Sequence, residues 1–255
     1  HMRTLGPYTV RNFVLAAAQQ GILVKNARAL EQANLVNTII FDGHVLTDPA
    51  VRSDAKAVIH KLRRRPWLAT RASRQPFSIY VMVNHDEEEL GRQLVAELGL
   101  DDYFAESMLV TRASLLEQLQ LGGRMICYVG TGQNDEMEMN KALVGVAHRN
   151  LENSENNAAQ IVLMDNDLRR LGTIFDFGLL FAAKQGTNLL APIGVDLIDI
   201  TTTLLIHFGL VYSVMFNYLG LLIGAWSAQL PPVRPQEAPA PPVEAPVSTL
   251  LPLLK

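Results

Sequence analysis

Residues 37–47 read N-T-I-I-F-D-G-H-V-L-T, an apolar run closed by an aspartate. Thr38, Ile39, Ile40 and Phe41 are β-branched or apolar and bounded by turn-formers, which predicts a buried parallel strand ending at Asp42. Asp42 then stands at a strand's carboxyl end. In open α/β sheets that edge gathers ligands, because loops converge there and following helices turn their N-termini towards it. Either Asp42 acts on such a ligand or it caps the next segment.

On either side of this strand the chain alternates between periods. Thr9 to Gln20 has helical spacing and stops before Gly21, too short and too polar to span a bilayer. Pro49 to Arg65 predicts a helix with Val51, Ala55, Val58, Ile59 and Leu62 on one face. Phe77 to Val83 predicts a second strand, and Asn84 to Gly91 opens a helix reaching Leu98, with acidic residues suited to the positive end of its dipole. A helix over Ala113 to Leu121, a third strand over Met125 to Val129 and two short strands within Ala142 to Ala147 and Ala158 to Leu171 follow. About five strands alternating with helices make a doubly wound, mostly parallel α/β sheet.

Composition narrows the class. Hydrophobic residues make up 49% of the 255, charged residues 18%, and mean hydropathy is +0.13, apolar for a water-soluble protein. A net charge of -3 gives no reason to expect a nucleic-acid partner. The single cysteine, Cys127, lies in an apolar strand and excludes an intramolecular disulfide. His1-Met2 reads as a cloning remnant. The basic run Lys61, Arg63, Arg64, Arg65, Arg71 and Arg74 is either a solvated face or a contact for anionic lipid.

The apolar excess lies in 189–226. Residues 189–208 contain Asp196 and Asp199, and 209–226 carry no charge over a spanning length. This predicts a helical hairpin crossing a membrane twice, with Lys184 and Arg234 both on the cytoplasmic side. Asp196 and Asp199 are either an ion site within the membrane or lie at its interface. Residues 231–246 form a Pro/Ala-rich linker that favours polyproline conformation. The apolar terminal peptide, residues 247–255, is either a docking tag for a protein assembly or a frayed end.

Gly21 to Glu31 with F-D-G-H-V-L-T, then V-M-V-N-H-D, then L-G-L-D-D-Y-F-A-E, then G-T-G-Q-N-D, together resemble the phosphorylation domain of heavy-metal-transporting P-type ATPases, in the haloacid dehalogenase superfamily. The resemblance covers Gly21 to Asp48 and Phe77 to Trp226. In the pumps an aspartate followed by Lys-Thr-Gly-Thr-Leu-Thr takes the phosphoryl group from ATP. Asp42, Leu46 and Thr47 match that motif, while Gly43, His44 and Val45 replace its centre in a loop one residue shorter.

The resemblance implies roles for four residues. Asp42 matches the nucleophile; Asn84 matches the threonine whose hydroxyl holds the phosphoryl group, and it keeps a hydrogen-bonding side chain. Arg112 stands where the pumps have a lysine that neutralises the aspartyl phosphate, with the charge kept but a planar fork in place of a point ammonium. His44 stands where superfamily phosphatases carry an acid/base aspartate, so it is either a general acid or base near neutral pH or a surface histidine.

The pumps' Gly-Asp-Gly-x-Asn-Asp keeps its last two residues here as Asn134 and Asp135, while Thr131 replaces the aspartate that ligates Mg²⁺. Asp42 and Asp135 alone predict weak Mg²⁺ binding. The pumps' inserted ATP-binding domain is replaced by Asp48 to Pro76, too few residues for a core.

These observations predict four regions: an N-terminal helical segment (3–36), the phosphorylation domain (37–188), the hairpin (189–226) and the tail (227–255). The expected function is that of a pseudoenzyme, a non-catalytic binding, regulatory or scaffold protein on the cytoplasmic face of a membrane or beside a membrane-protein partner. The alternatives are a Mg²⁺-dependent phosphatase or phospho-accepting protein using Asp42, and a cytoplasmic cargo or adaptor docked to an assembly through its terminal peptide.

Overall fold

The computed structural model describes residues 2–64, 77–107, 110–132, 135–148, 158–164 and 167–184, with the single positions 201, 215, 218, 219, 222 and 226. Helix α1 (Met2–Gln19) leads into β1 (Ile22–Val24), α2 (Arg28–Ala33) and β2 (Thr38–Asp42). The chain continues through α3 (Gly43–Thr47), α4 (Pro49–Arg63), β3 (Ser78–Val83), α5 (Glu88–Leu98), β4 (Asp102–Ala105) and α6 (Arg112–Leu121). Strand β5 (Ile126–Gly130), α7 (Glu136–Lys141), β6 (Val144–Ala147), β7 (Ile161–Leu163) and a helix over 171–184, α8, follow.

The seven strands form one sheet in the order β1-β7-β6-β5-β2-β3-β4, parallel throughout except that β1 runs antiparallel to β7. All five residues of β2 are buried, as its continuous apolar text requires of a central parallel strand. From β2 the chain builds outward through β3 and β4, then crosses to the other side of β2 to lay down β5, β6 and β7. The sheet's switch point therefore falls between β2 and β5, at the ends carrying Asp42 and Gly130.

Alternation divides the core in two. Ile39, Phe41, Cys127 and Val129 enter a large cluster with α1, α2, α4, α5 and α8, in which Phe13 packs edge-on to Phe177 and Phe181 at 6.2 and 5.2 Å. Ile40, Ile126 and Tyr128 face the smaller cluster, covered by Leu116 of α6 and Met139 of α7. Asp42 shares parity with Ile40, so its side chain falls on the α6–α7 side.

Two strands lie outside the sequence expectation. Strand β1 has three residues and β4 reads D-Y-F-A, both at the sheet's edges, where short length and polar residues weaken the period-two signal. Strand β1 falls within the segment 3–36 read as helical. Helix α4 ends at Arg63, which pairs with Asp101 at 2.8 Å, and 65–76 lie outside the described residues.

Among the described residues no helix is long and apolar enough to cross a membrane. The hairpin and tail expected over 189–255, with Asp196 and Asp199, lie outside the described residues apart from the single positions above. At five of those positions Met215, Tyr218, Leu219, Leu222 and Trp226 are exposed.

The layering makes a stability prediction. Phe41→Ala, at a fully buried position, should cost about 3–5 kcal/mol in urea unfolding, whereas Leu121→Ala, at a position 89% exposed, should leave the midpoint nearly unchanged.

Candidate functional site

Asp42 ends β2 and turns the chain directly into α3. Its Oδ1 accepts the backbone N–H of His44 at 2.8 Å, capping that helix. Its Oδ2 points the other way, towards the first residue of α6. That residue is Arg112, preceded by Thr111, whose hydroxyl caps α6 by accepting the N–H of Ser114 at 3.3 Å.

Arg112 Nη2 donates to Asp42 Oδ2 and to the Tyr128 hydroxyl. The Tyr128 hydroxyl in turn reaches Asp42 Oδ2 at 3.1 Å, and Arg112 Nη1 donates to Asn84 Oδ1 at 3.3 Å. The Arg112 Nε has no hydrogen-bond partner among the described residues and faces the Glu138 carboxylate at 3.9 Å, an ion pair without a direct bond. Five segments thus converge on one guanidinium: the ends of β2 and β3, strand β5, and helices α6 and α7.

Burial sets the electrostatics. Burial alone would lower the pKa of the Arg112 guanidinium, but Tyr128 and Asp42 beside it, with the Asp42 hydrogen bond, hold it above the ordinary arginine value. Burial and then Asp42 push the Tyr128 phenol well up, so it stays a neutral donor. Asp135 is raised by burial and by Asp42, against the backbone N–H groups of Gly132 and Thr131.

Those two N–H groups donate to the Asp135 carboxylate at 2.8 Å each, so it closes its own loop. Gly130 makes room for it. A Cβ at Gly130 would lie 1.7 Å from Asp135 Oδ2. Gly132, at φ 83°, takes the left-handed turn that brings its N–H round to the carboxylate.

Of the residues singled out in the sequence, Asp42, Asn84 and Arg112 come together. Asn84 accepts from Arg112 through its amide oxygen. The His44 side chain is 55% exposed and lies 4.0 Å from Glu87, with only its backbone N–H on Asp42. Tyr128 and Glu138 complete the cluster and were not read from the sequence. A signal for Tyr128 existed: it pairs with Ile40 across β5 and β2, so it shares the face of Asp42. Glu138 gave a weaker one, three residues after Asp135 on the following helix.

These donors do not make a Mg²⁺ site as they stand. Asp42 Oδ2 is taken by a guanidinium and a phenol, both Asp135 oxygens accept backbone N–H groups, and residue 131 is a threonine. Among the described residues no group of three or more His, Cys, Asp or Glu side chains could hold a metal. Arg112 supplies the positive charge beside Asp42.

No family model matches the chain. It is similar to the potassium-transporting ATPase ATP-binding subunits of Mycobacterium tuberculosis (strain ATCC 25618 / H37Rv), 28% identical over 106 residues, and of Streptomyces coelicolor, 27% over 143 residues. These matches take in 42% and 55% of this chain but only 15% and 20% of the relatives' length. In fold it resembles a zinc-transporting PIB-type ATPase, with a TM-score of 0.67 at 15% identity, over 89% of this chain and 55% of that one. A second crystal structure of a zinc-transporting PIB-type ATPase gives 0.65 at 16% identity, over 88% and 54%.

Two measurements probe the cluster. Arg112→Met leaves the buried Asp42 carboxylate without its cation and should cost about 3–5 kcal/mol in urea unfolding at neutral pH; in the Asp42→Asn background the same change should cost clearly less. Asp135 gives a pH dependence. Between the unfolded value of 3.8 and its raised folded value, the folded chain keeps a proton that the unfolded chain has released, so this group lowers stability as pH rises through that window. Urea stabilities should therefore shift in favour of Asp135→Asn, relative to the unchanged protein, between about pH 4 and about pH 7.

Proposed function

From a chain related to the P-type ATPases, we propose that this protein is a non-catalytic member of that group, a binding or regulatory module built on a phosphorylation-type domain. The observation that carries the reading is the Arg112 and Tyr128 contact on Asp42 Oδ2. A nucleophile must offer a free lone pair in line with the phosphorus, and phosphoryl transfer depends on positioning and on neutralising the phosphate's charge. One Asp42 oxygen caps α3 and the other holds the guanidinium and the phenol. Thr131 in place of a metal-binding aspartate supports the same reading.

The hairpin 189–226 anchors the domain to the cytoplasmic face of a membrane in this proposal. Its support is the charge-free length of 209–226 and the exposed Met215, Leu219, Leu222 and Trp226, spaced three to four residues apart as on one helix face, with the exposed Tyr218 beside Leu219.

Purified full chain should neither hydrolyse an aryl phosphate nor accept label from acetyl phosphate with Mg²⁺ present, at levels above Asp42→Asn. Turnover or an acyl phosphate that disappears in Asp42→Asn would overturn the reading in favour of a phosphatase or phospho-acceptor. For the anchor, the full chain should float with phosphatidylcholine vesicles in a density gradient and lose flotation when 189–226 are deleted. A full chain that stays in the aqueous fraction without detergent would remove the membrane from the proposal.

A further inference from the structure

At the sheet edge opposite Asp42, a cavity of about 410 Å³ lies among the amino-terminal ends of β5, β6 and β7, where Met125, Leu143 and Gln160 precede their strands. Strand β1 runs the other way and delivers Asn26 to the same edge. The size falls within the range of small-molecule sites, about 300–1,000 Å³. The lining does not resemble the mostly apolar walls of such sites. Arg28, Arg124 and Lys141 contribute three cations, carboxamides make up much of the rest, and among the described residues no carboxylate lines it.

Three details bear on what would fill it. Arg124 is braced: its guanidinium lies over the Tyr80 ring at 5.0 Å and donates to the Tyr80 hydroxyl at 2.8 Å. The Arg28 side chain has no partner among the described residues, and Lys141 shares its charge with Glu117, which stands outside the lining. Gln160 borders the cavity with its backbone fully engaged, its N–H on Gly145 at 3.0 Å and its carbonyl accepting from Lys25 at 2.9 Å.

Two guanidinium forks with an ammonium suit a group carrying close to two negative charges. A phosphate monoester carries about -1.5 to -2 at neutral pH. We infer that this cavity binds a phosphate monoester, as a free sugar phosphate or as a lipid headgroup. Arg28, Arg124 and Lys141 hold the phosphate. The site is remote from Asp42 and independent of whether that residue reacts.

The test is calorimetric titration of the full chain with ribose 5-phosphate, with ribose as the uncharged control. Binding with one site per chain is expected, about tenfold weaker in Arg28→Gln and in Lys141→Gln, unchanged in Asp42→Asn, and absent for ribose. Arg28 is exposed and unpartnered, so its substitution should leave the melting temperature unchanged. A second arm compares phosphatidylcholine vesicles with and without phosphatidylinositol 4-phosphate. Extra binding to the phosphorylated vesicles that falls in Arg28→Gln assigns the lipid headgroup as the source. The inference is overturned if neither probe binds, if binding ignores Arg28→Gln and Lys141→Gln, or if it vanishes in Asp42→Asn while that variant keeps its cooperative melting transition, which would put the phosphate at the other edge.

Discussion

The contact between the Arg112 guanidinium and the Asp42 carboxylate ties the two halves of the sheet together. Asp42 is 3% exposed at the switch point, where an uncompensated carboxylate would be costly, and Arg112 reaches it from a helix that begins at that position. Helix α6 also covers the smaller core, so the register of Leu116 against Ile40 and Tyr128 and the placement of the guanidinium are one constraint. Tyr128 and Asn84 complete the coordination of the fork, and Glu138 balances the side that has no hydrogen bond.

The departures from the pump motifs form a consistent set. Residue 131 is a threonine where the resemblance would place a carboxylate, and the arginine at 112 brings its cation to Asp42. Asp135 turns inward and closes its loop, which the absence of a side chain at Gly130 permits. The tyrosine at 128 then fills space beside Asp42 with a neutral donor.

The two edges of the sheet differ in chemistry. At the carboxyl edge, carboxylates from β2 and α7 surround one partly buried arginine, and the polar groups there are largely satisfied within the chain. At the amino edge, cations and carboxamides line an open cavity in which an arginine side chain lacks a partner among the described residues. A parallel sheet permits this division, because its two edges are built from different loops and vary independently.

The sequence by itself determined the alternation of elements and the buried central strand ending at Asp42, because apolar periodicity is a local property of the text, while Asn84 and Arg112 were set beside Asp42 only by the resemblance to a known family. The strands β1 and β4 were not legible, since a short edge strand acquires its conformation from the neighbour that pairs with it. Nor were the partners of the site. Tyr128 reads as one more residue of an apolar strand, and Glu138 as a surface position on a short helix, until the β2–β5 register and the packing of α6 on α7 set both against Arg112. The sequence could name Asp42 and Asp135 as metal ligands, but the direction of each carboxylate was decided by tertiary structure: a guanidinium and a phenol reached one, and two backbone N–H groups claimed the other. Hydrogen bonds across distant segments depend on how the layers stack, which no single segment encodes.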